Sequence, residues 1–257
     1  MNVFYFADTR FPIERANGLQ SMATCQALAA MGHDVRLVTR QDSASPARDP
    51  FAFYGLPETE GLRFDVIPAS RSPRLRRLRF LVTAAHQAIR ARDAVIYTRD
   101  LGLASLLAAL PTALRPRLVY ESHGISAVVA AEMPALLGKP DLTPSARKLS
   151  RLDRQDRRVW RGADAYVAIT SALADELAGR YGPRDEVFVV PDGASLDRPA
   201  APRRAGLPVV AAYAGHLYPW KGVDVFVRAL AAAPSVRGLI VGGHPAEEDL
   251  GRVRRLL

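Results

Sequence analysis

One cysteine, Cys25, occurs in 257 residues. That excludes an intrachain disulfide and a thiolate-built metal cluster, and it fits a reducing compartment such as the cytoplasm. Lysine is nearly as scarce: Lys139, Lys148 and Lys221 are three of the 35 basic residues, and arginine makes up the remainder. The longest apolar run, LGLASLLAAL at 101–110, is about half of what a membrane-spanning helix needs. The opening MNVFYFADTR has neither a basic n-region nor a long apolar h-region, so no secretory signal is expected. The first strand is not followed by GxGxxG, which argues against a nicotinamide enzyme, and GxxxxGK[ST] is absent, which removes the phosphate loop of ATPases. No His, Cys, Asp and Glu cluster has metal-ligand spacing, and no solenoid-length repeat or low-complexity tract is visible.

What remains is an ordinary globular composition, 49% hydrophobic and 24% charged, enough for one large domain or one domain plus part of another. The net charge of +9 implies attraction to polyanions. Arginine richness often follows GC-rich coding, so the excess by itself does not establish a function. No nucleic-acid recognition motif accompanies the charge, so nucleic acid is not an expected partner.

Short β-branched or aromatic runs alternate with helix-length stretches. Strands are predicted at 3–7, 35–39, 64–68, 94–97, 118–120, 165–169 and 187–190. Helices are predicted at 18–31, 74–92, 101–110, 145–161 and 171–180, with Gly32 just past the end of the first. This alternation implies an α/β fold with a doubly wound parallel sheet over 1–190. Residues 191–208 hold Pro191, Pro199, Pro202 and Pro208 and read as an interdomain linker. A second α/β pattern opens at 209–257, with strands at 209–213 and 238–241 and helices at 223–232 and 247–257. Two parallel strands do not close a core, so apolar Val225, Val227, Leu230, Leu239 and Val241 are expected to be poorly covered.

Ligands of open parallel sheets bind where strands end. After the first strand come Asn17 and Gly18 at a helix start, either as an anion site or with Asn17 as a plain cap. Arg99 follows the fourth strand, to hold an anion or to pair with Asp100. Glu121, Ser122, His123 and Gly124 follow the fifth. His123 is placed as a general base or substrate donor, or as a loop histidine bonded to backbone. The densest cluster is Gly215-His216-Leu217-Tyr218-Pro219-Trp220-Lys221-Gly222, where a lysine stands in an arginine-rich chain and can reach a diphosphate. Gly242 and Gly243 end the next strand and either allow close backbone approach to a ligand or form a simple turn. Residues 71–92 interleave Arg71, Arg74, Arg76, Arg77, Arg79, Arg90 and Arg92 with leucines. They suit an anionic membrane surface or the solvated face of a packed helix.

Six segments in order resemble the retaining family 4 glycosyltransferases of GT-B fold. They are Asn17-Gly18-Leu19-Gln20 running into Gly32-His33-Asp34-Val35; Val119-Tyr120-Glu121-Ser122-His123; Ala163-Asp164-Ala165; Ile169-Thr170-Ser171; Val190-Pro191-Asp192-Gly193; and Gly215 with Lys221-Gly222. The resemblance implies a complete Rossmann-like acceptor-side domain and the first βαβα part of a second, donor-side one. It implies sugar transfer from a UDP- or GDP-sugar to a glycan or lipid-linked acceptor with retention of configuration, without metal or other cofactor. Lys221 would neutralise the leaving diphosphate, with Gly215, His216, Gly222 and Gly243 beside the donor. His123 would touch the reacting sugar or the acceptor, and Asn17, Gly18, Arg99 and Glu121 would line the phosphate or acceptor side. A peripheral place at the inner face of the plasma membrane would suit a lipid-linked acceptor.

Two departures stand out. His216 occupies the place where the family has arginine. The family's glutamate pair, eight residues apart in the donor domain, has no counterpart, since Glu247 and Glu248 fall too early. The expectation is a donor domain cut short, inactive alone, or a binding module or split subunit completed by a second chain.

Overall fold

The first strand, β1 (Asn2–Arg10), is the apolar run Val3–Phe6 extended by polar residues, and it lies at the centre of a parallel sheet. The computed structural model describes residues 1–68, 72–193, 209–243 and 248–257. After β1 come α1 (Ala16–Ala30), β2 (Asp34–Arg40), α2 (Pro50–Tyr54), β3 (Leu62–Ile67), α3 (Pro73–Arg90), β4 (Val95–Thr98) and α4 (Leu101–Leu107). Then follow β5 (Arg117–Ser122), α5 (Ser126–Leu136), α6 (Ala146–Gly162), β6 (Ala165–Ala168), α7 (Ser171–Tyr181) and β7 (Val187–Val189). The sheet order is β3-β2-β1-β4-β5-β6-β7, every pair parallel. The order turns outward in both directions from β1 and β4, which makes their C-terminal ends the topological switch point.

Local chemistry explains the boundaries. Gly32 (φ +85°) closes α1 by donating to Ala29 O. Asp49, Asp100 and Thr170 cap α2, α4 and α7 by accepting from Ala52 N, Leu103 N and Leu173 N. Tyr5, Phe6, Met22 and Leu37 are fully buried near β1. At the other end of the sheet Trp160 packs edge-on to Tyr166, centroids 4.8 Å apart, and donates its indole N–H to Gly182 O at 2.8 Å.

The chain divides into two units, Met1–Ala127 with Ala146–Asp192, and Val128–Ser145 with Gly193–Leu257. The sequence boundary near residue 190 therefore omits 128–145, which packs with the second unit. That unit holds β8 (Val210–Ala214), α8 (Val223–Ala231), β9 (Arg237–Val241) and α9 (Glu248–Arg254), with β8 and β9 parallel. Its small core is Leu217, Val223 and Val253, and Val225, Leu239 and Val241 are exposed. The predicted linker lies outside the described residues beyond Gly193, as do Arg71 and Glu247.

The sequence reading missed two helices. The first is α2, despite its Asp49-Pro50 start and Gly55 end. The second is α5, which is apolar around most of its circumference and carries Pro134 inside, so it shows no helical period.

Candidate functional site

At the switch point the ends of β1 and β4 part, and a cavity of about 240 Å³ opens between Ala7, Asp8 and Thr9 on one side and Arg99 and Asp100 on the other. Asn17 and Ser21 of α1 complete its wall. Asn17 stands within the first helical turn. The N-cap is Arg15, and no side chain caps the helix, so Asn17 does not serve as the cap. Gly18 is buried, and a Cβ there would lie 2.5 Å from Tyr54 Oη and 2.6 Å from Ile13 Cγ2. Its missing side chain lets α1 seat against that hydroxyl, which donates to Ile13 O and accepts from Ile13 N.

Beside the cavity, strand register gathers a polar cluster. Tyr5 pairs with Tyr97 and Tyr97 with Val119, so Tyr5, Tyr97 and Glu121 face the same side of the sheet. Glu121 is the hub. It accepts from Tyr97 Oη at 2.6 Å and from Gln20 Nε2 at 3.4 Å, its Oε1 lies 2.5 Å from His123 Nε2, and Arg99 Nε is 3.7 Å away. Burial works to raise the Glu121 pKa, but the hydrogen bonds to His123 and Tyr97 and the Arg99 charge outweigh it and hold the carboxyl below its ordinary value. Burial and the same carboxylate push the Tyr97 phenol far up. Glu121 fixes one ring nitrogen of His123, and the ring keeps part of its surface open to solvent. Gln20 donates also to Asp192 and accepts from Arg99 Nη1 at 2.5 Å.

Three sequence readings are corrected here. Glu121 and Ser122 lie within β5, not beyond it. Arg99 does not pair with Asp100, which instead takes the Arg77 guanidinium through both oxygens, at 2.6 and 2.8 Å, while capping α4. Arg77 also donates to Asp8, whose other oxygen faces Arg40. His123, a candidate for bonding to backbone, is instead tied to a carboxylate. Gln20, Tyr97, Arg77 and Asp192 were not singled out in the sequence. The period-2 alternation of β4 is the signal that could have found Tyr97.

In the second unit, β8 leads into the loop 215–222. Gly215 N donates to Val241 O at 3.0 Å. A Cβ on Gly242 (φ +146°) would lie 1.8 Å from Gly215 O, so the ends of β8 and β9 touch backbone to backbone. The rings of His216 and Tyr218 stack at 4.9 Å and those of Tyr218 and Trp220 at 4.8 Å. Lys221 ends a 3-10 turn and is exposed; among the described residues no carboxylate stands within salt-bridge distance of it. Gly222 (φ +77°) is the N-cap of α8, and Gly243 backs onto Leu217. The described residues contain no group of three or more His, Cys, Asp and Glu side chains able to hold a metal ion.

Residues 18–193 match the glycosyl transferase 4-like domain family. A D-inositol 3-phosphate glycosyltransferase of Nocardia farcinica is 35% identical over 160 residues, which cover 56% of this chain and 33% of that protein. A protein of the same name from Mycolicibacterium smegmatis is 32% identical over 136 residues, 49% of this chain and 30% of that one. The structure of Anabaena Alr3699/HepE in complex with UDP aligns with a TM-score of 0.63 at 17% identity, over 100% of this chain and 65% of that one, which is a likeness of fold. The matched stretch is thus about a third of the curated relatives' length.

Proposed function

The chain belongs to the glycosyl transferase 4-like family, and from that premise we propose that it moves a sugar from a UDP- or GDP-sugar to a glycan or lipid-linked acceptor with retention of configuration. The curated relatives are named for D-inositol 3-phosphate, a phosphate-bearing polyol, which is one candidate acceptor. The observation that carries the reading is Lys221, an exposed cation in the loop that follows β8 with, among the described residues, no carboxylate within salt-bridge distance. As the bond from the anomeric carbon to the diphosphate oxygen breaks, negative charge collects on the leaving oxygen, and a cation held there stabilises it. Gly215, Gly222 and Gly243 would offer backbone to the donor. His216 would be a second, weaker phosphate contact than the arginine of other members. On the first unit His123, oriented by Glu121, would touch the reacting sugar or the acceptor hydroxyl, with Asn17, Gly18 and Arg99 on the acceptor side.

The test is release of nucleotide from UDP- and GDP-sugars, with proton NMR of the product anomer. It is run on this chain and on a chimera carrying a relative's whole second domain. Retention is expected of the product, and any release by this chain itself is expected to depend on Lys221. No nucleotide release by either protein would sink the reading. A second chain supplying further strands to the β8–β9 sheet is the alternative arrangement, favoured by the exposure of Leu239 and Val241.

A cytoplasmic place on an anionic membrane face is a second reading, favoured by α3. Leu75, Leu78 and Val82 stand exposed at i, i+3 and i+7, beside exposed Arg79 and Arg90. No described helix is long and apolar enough to cross a membrane. Flotation with anionic liposomes that weakens with salt is the expected result; flotation indifferent to lipid charge would count against it.

A further inference from the structure

A second cavity, of about 510 Å³, opens in the first unit among α3, α4 and α6. It shares Arg99 and Asp100 with the switch-point cavity, so the two lie on either side of the β4–α4 turn. Three guanidiniums reach it, from Arg77, Arg99 and Arg151. Their charges are not equivalent. Arg77 is neutralised by Asp8 and Asp100, and Arg99 lies against Glu121. Arg151 is exposed and, among the described residues, has no carboxylate within salt-bridge distance. It is the surplus cation of this cavity. Arg147 and Arg154 stand exposed one turn before and after it on α6, so the rim is basic.

The walls are of the opposite character. Leu81, Leu101, Leu106 and Leu152 line the cavity from all three helices, and Leu106 is 47% exposed. Leucines that offer no hydrogen bond make a poor wall for a hydroxylated ring and a good one for a hydrocarbon chain. The volume falls in the range of drug-sized ligand sites and well above the needs of a lone phosphate. The packing that forms the cavity also depends on one missing side chain. A Cβ on Gly102 would lie within van der Waals radii of Arg77 Nη2, so the bare backbone of α4 is what admits the guanidinium to the wall.

We infer that this cavity binds an anionic amphiphile, a phosphate ester on a hydrocarbon or isoprenoid chain, with the anion on Arg151 and the chain along the four leucines. The inference rests on the glycosyl-transfer reading in that it names the class of acceptor; the binding itself is independent of any donor.

The experiment is titration calorimetry on the full chain without nucleotide, using geranyl phosphate below its micelle concentration, geraniol, inorganic phosphate and inositol phosphate as probes. Geranyl phosphate is expected to bind at least about tenfold more tightly than each of the other three. Arg151→Glu and Leu106→Asp, both at exposed positions, are each expected to weaken it about tenfold with thermal melts unchanged. Equal binding of geranyl phosphate and inositol phosphate would overturn the chain subsite and leave a polar anion site. Geranyl phosphate binding indifferent to Arg151→Glu, or none at all, would overturn the proposal. Nucleotide release, assayed separately with UDP- and GDP-sugars on this chain and on the chimera, separates the two claims. Release by either protein without amphiphile binding defeats this inference alone, and selective amphiphile binding with no release by either protein defeats the transfer reading alone.

Discussion

The two units handle their charged and apolar groups in opposite ways. In the first, seven strands bury Trp160, Tyr5, Tyr166 and Phe6 completely, and the polar groups at the strand ends are committed to one another through Glu121, Arg77 and Asp8. In the second, among the described residues, three form the core, apolar positions of both strands face solvent, and Lys221 has no carboxylate within salt-bridge distance. An anion at the strand ends of the first unit would compete with internal partners, whereas Lys221 in the second unit and Arg151 on α6 have no carboxylate within salt-bridge distance among the described residues.

The largest test exploits the two tryptophans, Trp160 in the first unit and Trp220 in the second. Trp160→Ala should cost about 3–5 kcal/mol in the first unit, and Leu217→Ala about 2–4 kcal/mol in the second alone. Denaturant titration followed by far-UV circular dichroism together with the remaining tryptophan fluorescence checks both; loss of the two units together in either variant would break the comparison. Next is Lys221→Gln, expected to lower kcat about 100- to 1000-fold, equivalent to about 3–4 kcal/mol, with the melt unmoved because the side chain is exposed.

Glu121→Gln should instead destabilise, by about 3 kcal/mol, because it leaves Arg99 and His123 without their buried counter-charge. Its sign with pH follows from the lowered carboxyl pKa. The stabilisation is present at neutral pH and is lost as pH falls through the acid range, so the variant should show a shallower acid limb in urea titrations.

Asp156 runs the other way. It is buried on α6, accepts from Ser126 N at 2.9 Å and Ser126 Oγ at 3.1 Å, and lies near Asp153, Tyr120 and Tyr166. Burial pushes its pKa up to about 6, so the folded protein holds a proton that the unfolded chain has released, and stability falls as pH rises from about 4 to 6. Asp156→Asn should flatten that interval and gain about 2 kcal/mol at pH 7.

Most of this architecture was readable because parallel strands buried on both faces are apolar runs, as in Val35–Thr39, and because Gly32 and Gly222 mark helix ends chemically. The helix α5 was not, since an element apolar on most sides has no period to read. The positions of His123 and Arg99 followed from where strands stop. Their partners did not: Tyr97 meets Glu121 through the register of β4 against β5, and Arg77 reaches Asp100 from a helix far away in the chain. Such pairings depend on tertiary packing. The neighbouring Asp100, the obvious partner of Arg99 on paper, is drawn away by its duty at the start of α4.

The backbone contact between Gly215 and Gly242 bears on how this protein can diversify. With an added carbon forced to within 1.8 Å of a carbonyl oxygen, Gly242 tolerates no replacement while β8 and β9 keep their spacing. Variation near these strand ends is therefore channelled into the loop after β8, where His216, Tyr218 and Trp220 form one column of rings. If the proposed donor site is correct, a combinatorial library confined to those three positions is the place to look for altered donor choice, with Gly215 and Gly242 left unchanged.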